Sequence, residues 1–258
     1  MQKAKKRVIS VTAVLLAVLV ALTALLPTAG AAQAATMKSK YTGKSYTHNA
    51  RFDKLEVLNG VDISAWQEKV NWKKIKNDGI DFAILRAGYG KNASQEDAYF
   101  AKSVADVEKE ARLCLQVLGS RTLDLPVFYD LEESSQLSKG KAFCTQLVEH
   151  FCSIIAAAGH TPGLYMSRSP LLDYIEKETR GRYALWVAEY GSKTCKYDGD
   201  YLMWQYADNG KVAGVNGNTD MDFLYGNKNS LPGSATLLKS KTYTGKAITP
   251  APTVTGGN

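Results

Sequence analysis

The chain has 258 residues, enough for one catalytic-sized domain with a full core, and its 32 Lys and Arg against 25 Asp and Glu give a formal charge of +7. Four of those basic residues, Lys3, Lys5, Lys6 and Arg7, fall in the first 34 residues, which hold no acidic one, so the rest of the chain carries +3. A balance that mild, without a clustered basic stripe, sets nucleic acid aside as a partner and suits an anionic envelope polymer.

In chain order, the basic start is followed by an apolar run over residues 8–26, then Pro27 and the small-residue exit Ala32-Gln33-Ala34. This reads as a secretory signal over residues 1–34, cleaved after Ala34, and places the protein outside the cell or at its wall. The run approaches the roughly 20 residues that cross a bilayer, so an uncleaved membrane anchor is the alternative. Residues 35–58 are rich in Tyr, Lys and Thr without sustained periodicity and read as a polar leader strapped over the domain surface, carrying no chemistry. The last segment, residues 228–258, is Ser-, Thr-, Pro- and Gly-rich and reads as a flexible tail.

Residues 59–227 hold the domain. Short apolar runs rich in β-branched and aromatic residues, at 60–64, 82–89, 126–132, 163–166, 184–190, 202–206 and 221–225, alternate with helix-like segments. Strands alternating with helices imply a parallel sheet. Runs as apolar as Phe82-Ala83-Ile84-Leu85 and Leu185-Trp186-Val187-Ala188 imply strands buried on both faces, so the class is α/β and a (β/α) barrel is favoured. Between residues 96 and 118 there is no Gly or Pro. Phe100, Val104, Val107, Ala111, Cys114 and Leu118 recur at spacings of three and four, which predicts one continuous helix there.

Cys144 and Cys152 lie eight apart in a predicted helix, about 12 Å along its axis, too far to bridge. Cys114 and Cys195 can pair with these or with each other, or all four can serve as buried thiols. No His or Cys spacing suggests a metal site, no GxSxG elbow or phosphate-cradling glycine loop is present, and no cofactor is expected.

Several strand runs end in a polar group: Asp62, Asp130 with Glu132, Glu189, and Gln205. At the C-terminal face of a barrel, such groups converge on one pocket. In Asp130-Leu131-Glu132, strand alternation puts both carboxylates on one face. Two like charges so close, partly buried, raise the pKa of one, which then holds a proton while its neighbour is ionised. That is the division of labour glycosidic cleavage requires. Among the aromatics near strand ends, Tyr165 and Trp204 are expected in the cleft to stack on sugar faces, and Trp186 in the core.

The ordered set Val61-Asp62-Ile63-Ser64 with Trp66-Gln67, Asn71-Trp72, Gly79-Ile80-Asp81-Phe82, Arg86-Ala87-Gly88-Tyr89, Asp130-Leu131-Glu132, Trp186-Val187-Ala188, Trp204-Gln205-Tyr206 and Gly217-Asn218-Thr219-Asp220-Met221-Asp222 resembles the family 25 glycoside hydrolases, the Chalaropsis-type lysozymes, from about residue 59 to 225. The resemblance implies a modified, TIM-like (β/α) barrel that hydrolyses the β-1,4 bond between N-acetylmuramic acid and N-acetylglucosamine of peptidoglycan without a metal. It implies Glu132 as general acid and Asp130 as the group that orients the substrate acetamido. Asp62 and Asp220 would hold sugar hydroxyls, with Asp222 competing for the last role. Tyr89, Tyr165, Trp204, Gln205 and Glu189 are the expected substrate contacts, and the protein is expected to act as a monomer. One departure is visible: the family's usual eight strands include one between 82–89 and 126–132, where this chain has the predicted helix. That leaves seven main strands and makes a barrel that binds peptidoglycan without cutting it the alternative reading.

Overall fold

The protein is represented by a computed structural model that describes residues 35–87 and 100–226. The predicted signal, the predicted tail, the first residues of the predicted 96–118 helix and Tyr89 lie outside the described residues.

Each of the seven apolar runs forms a strand. They are β3 (Val57–Ile63), β4 (Phe82–Leu85), β5 (Val127–Asp130), β6 (Pro162–Ser167), β7 (Ala184–Ala188), β8 (Met203–Gly210) and β9 (Thr219–Tyr225), preceded by a small hairpin of β1 (Thr36–Lys38) and β2 (Ser45–Thr47). Among the described residues the main sheet has the order β4-β3-β9-β8-β7-β6-β5. β5 through β8 run parallel, as do β3 and β4. The expectation of a parallel sheet fails at β9, which runs antiparallel to both β3 and β8. Only residues 211–218 separate β8 from β9, and a parallel return needs a crossover of about a dozen residues or more.

The sheet curls. Leu58, Tyr165, Trp186, Met203 and Leu224 form an inner cluster, against which Phe82 and Ile84 of one edge strand and Phe128 of the other both pack. Each edge strand lays a phenylalanine over a glycine of its neighbour. A Cβ on Gly60 would meet the Phe82 ring at 2.1 Å, and one on Gly163 would meet Phe128 at 2.6 Å. The edges are not paired to each other among the described residues, yet the end of β4 reaches the end of β5 through Arg86 Nη2 and Asp130 Oδ2, 3.7 Å apart.

Helices cover the outside. α1 (Trp72–Asn77) follows β3, and α2 (Phe100–Leu118) occupies the stretch predicted to be helical. On α2, Val107 and Ala111 are fully buried, with Cys114 and Leu118 packed against the core. After α3 (Ser134–Leu137), α4 (Lys141–Ala157) is the most buried helix, presenting Cys144, Leu147, Val148, Phe151, Cys152 and Ile155 inward. That is the three-and-four spacing of a single stripe, and Tyr129 of β5 stacks on Phe151 at 4.6 Å. Two short helices, α5 (Arg168–Tyr174) and α6 (Lys177–Arg180), lead into β7. All four cysteines are free, three of them buried.

The leader covers the outer face of β8 and β9. Tyr46 of β2 meets Trp204 and Phe223 edge-on at 5.8 and 5.9 Å. Phe52 stacks on Tyr225 at 3.9 Å, and Nδ1 of the buried His48 hydrogen-bonds the Tyr225 hydroxyl at 3.0 Å. β3 begins at Val57, two residues inside the span read as leader.

Candidate active site

Alternation along the strands decides which polar groups enter the barrel. Asp62 occupies the penultimate position of β3 and pairs in register with Asp220, the second residue of β9. Because β9 is antiparallel, its beginning lies at the same end of the sheet as the C-terminal ends of its neighbours. The reversal that the sequence reading missed is what brings Asp220 beside Asp62. Asp130 closes β5, and Glu132 follows two residues later, beyond the fully buried Leu131. Glu132 accepts a hydrogen bond from Ser167 Oγ at the end of β6, 3.4 Å away.

The electrostatics join these groups into one cluster. Asp62, half-buried, is pushed up to about 7 by desolvation and by the charges of Asp220 and Asp130, with Arg86 opposing. Asp130 is pushed up to about 6 by desolvation and the charge of Glu132, again against Arg86. Asp220 is raised by desolvation, by Asp208 and by Glu132, with Arg86 once more lowering it. The charge of Arg86 thus acts on three carboxylates, and Arg86 pairs directly with Asp130. The place of Arg86 directly after the β4 run is the same sequence signal that marks the acids.

Below this layer, Asp222 is completely buried and held well above the usual carboxylate range by desolvation and by Asp62. It accepts a 2.8 Å bond from Trp186 Nε1, which makes Trp186 the core residue expected of it. Gln205 sits opposite Asp222 on β8. Its Oε1 accepts from the hydroxyls of Tyr165, at 2.6 Å, and Tyr190. Gln205 is buried to all but 1%, beneath those two tyrosines. Tyr165 lies on the floor, close enough to Glu132 and Asp130 that both raise its hydroxyl pKa, after desolvation and Tyr190.

Two expected contacts are corrected. Trp204 is wholly buried on the opposite face of β8 from Gln205, packed on Tyr46, Tyr206 and Phe223, with Nε1 bonded to the Glu189 carbonyl. A period of two puts neighbours on opposite faces, so Gln205 inside requires Trp204 outside. Glu189 does not reach into the cleft either: Oε1 accepts from Arg168 Nε at 3.0 Å and Oε2 from the Lys196 backbone N–H at 2.7 Å. It pins the loop after β7 to α5. In place of Trp204 the structure offers Tyr190, 43% exposed beside the cluster. Among the described residues no group of three or more His, Cys, Asp or Glu is placed to hold a metal ion.

The model of glycosyl hydrolases family 25 matches residues 91–215. Protein YegX of Escherichia coli O157:H7 is 28% identical over 202 residues, covering 67% of this chain and 72% of that protein. The autolytic lysozyme of Clostridium acetobutylicum is 24% identical over 181 residues, covering 64% of this chain and 55% of that protein. Among solved structures, the modular autolysin LytC from Streptococcus pneumoniae superposes with a TM-score of 0.57 at 19% identity, covering 75% of this chain and 52% of LytC. The chain therefore spans about half the length of LytC, and that likeness concerns the fold.

Proposed function

From the match of residues 91–215 to the family 25 glycosyl hydrolases, we propose that the chain is a member of that family and a peptidoglycan hydrolase, a muramidase cleaving the β-1,4 bond between N-acetylmuramic acid and N-acetylglucosamine. The observation that carries this reading is the meeting of Asp62, Asp130, Glu132 and Asp220, from three separate strands and the loop after one of them, around Arg86 at one end of the barrel. In this arrangement Glu132 gives its proton to the glycosidic oxygen as the bond to the anomeric carbon breaks. Asp130 orients the substrate acetamido, whose carbonyl oxygen attacks that carbon. Water then opens the cyclic intermediate and returns a proton to Glu132. Asp62 and Asp220 hold sugar hydroxyls. Asp62, pushed up to about 7, retains a proton over part of the neutral range and so donates a hydrogen bond as well as accepting one, while desolvation and the charge of Asp208 raise Asp220 in the same direction.

The substrate implies that the protein works outside the cell or at the wall, with residues 1–34 as its export signal, and the reading takes it to act alone as a monomer. The assay is loss of turbidity of purified cell walls with release of new reducing ends. A chain that binds the walls but releases none would establish the second reading, a barrel that binds without cutting. One observation favours that reading. β4 and β5 end the sheet on either side of a seam that, among the described residues, Arg86 and Asp130 bridge only at its mouth. A stave fewer than the eight implied by the resemblance would open the cleft to water there and weaken catalysis.

A further inference from the structure

A second concavity of about 450 Å³ lies between the N-terminal hairpin and the loop after β7, lined in part by Lys44, Tyr190, Lys193, Tyr206, Asp208 and Asn209. Its volume is within the roughly 300–1,000 Å³ of small-ligand sites. The leader builds one wall. The turn from Ser39 to Lys44 is closed by backbone bonds from Ser39 to Lys44 and from Gly43 to Ser39, both 2.9 Å. The Thr47 N–H then donates to the Lys193 carbonyl at 2.7 Å, fixing the hairpin against the β7 loop. This wall lies outside the residues that match the family model.

The cavity and the carboxylate cluster share Tyr190. The Tyr190 residue lines the cavity, while its hydroxyl donates to Gln205 beneath the cluster. Asp208 faces both ways as well, lining the cavity and acting on the charge of Asp220. A ligand in the cleft that carried a branch toward β2 would enter this space.

The chemistry of the lining does not suit a bare glycan, whose hydroxyls and acetamides are neutral. Two ammonium groups and one carboxylate, with tyrosine rings and an amide between them, match a short peptide bearing both carboxylates and an amine. Muramyl residues of peptidoglycan carry such a branch. We propose that this cavity receives the peptide stem of the glycan strand being processed, with stem carboxylates held by Lys44 and Lys193 and the stem amine held by Asp208. The proposal rests on peptidoglycan being the polymer in the cleft, and it makes the leader a determinant of which wall strands are accepted.

The test uses a soluble stem peptide, free of sugar, titrated into the full chain by calorimetry and by amide chemical shifts. Such a peptide has no glycosidic bond, so the measurement does not depend on cleavage. The wild-type chain should bind it, with shifts at Tyr190, Lys193 and Asn209. The double variant Lys44→Glu/Lys193→Glu, altered at two exposed positions, should bind about tenfold or more weakly, the loss expected from reversing close charge pairs. Peptide binding by a chain that releases no reducing ends from walls would sustain this site while removing the muramidase reading. No binding by the wild type, or equal binding by the double variant, overturns the proposal. So does equal binding of a peptide whose amine is acetylated, or of inorganic phosphate at the same concentration, since either would reduce the cavity to a general anion site.

Discussion

The two faces of β8 and β9 are built on opposite principles. Outward, Trp204, Tyr206 and Phe223 meet Tyr46 of the leader in an unbroken aromatic packing, and each is buried with its polar atoms bonded where it has them. Inward, the same two strands present Gln205, Asp220 and Asp222, and one oxygen of Asp222 has no partner among the described residues. Burial contributes stability on the first face and costs it on the second, because a carboxylate stripped of water is unfavourable unless it keeps its proton. The fold thus keeps its carboxylate-lined end at an energetic disadvantage and offsets it through the aromatic wall behind it.

Substitutions on either face can break this contrast. The largest effect is expected at Trp204→Ala, which empties the centre of the outer wall and should cost about 3–5 kcal/mol in denaturant unfolding. A loss below about 1 kcal/mol would show that the wall does not carry the fold. Next, Glu132→Gln should lower turnover on cell walls about 10²-fold or more while the melting temperature stays put. Near-native turnover would remove Glu132 from the role of general acid.

Asp62→Asn probes the penalty directly. With its folded pKa near 7 against an ordinary 3.8, Asp62 holds a proton that the unfolded chain has already released. Its ionisation therefore leaves stability intact below about pH 4 and erodes it progressively up to about pH 7. The Asn variant should melt higher than the parent at pH 7.5 by roughly 2–6 °C, on the order of 1–2 kcal/mol, and alike near pH 4. Equal melting at both pH values would mean that the carboxylate is not penalised. The smallest effect belongs to Arg86→Gln. Arg86 lowers Asp130, whose pKa is about 6, so its loss should move the acid limb of the pH–rate profile upward by roughly half a unit. An unmoved limb would exclude Asp130 as the ionised partner.

How far the sequence foretold these faces depended on the kind of signal. Short apolar runs rich in β-branched and aromatic residues located all seven strands of the main sheet, because those features are local to each run. Strand direction is not local, yet the shortness of residues 211–218 carried it: with positive-φ glycines at 214 and 217, the segment is a turn and too short for a crossover. Trp204 was placed in the cleft by its chemistry, when the face already given to Gln205 placed it outside. Glu189 was likewise judged by position at a strand end, and nothing in the sequence announced Arg168 as its partner 21 residues earlier. The leader lacks any period, so the burial of Tyr46 and Phe52 emerges only from the sheet face they cover.

The position of β9 between β3 and β8 also governs the order in which the sheet can assemble. β3 is the first strand of the main sheet to be made and β9 the last, and residues 57–62 of one pair with 220–225 of the other. Contacts between segments so distant in the chain close late, since the intervening loop entropy must be lost before they form. Until the final strand arrives, β3 and β8 both present open edges, and the leader lacks half the surface it packs on. Nascent protein is held back from completing its own sheet until nearly the whole domain has emerged.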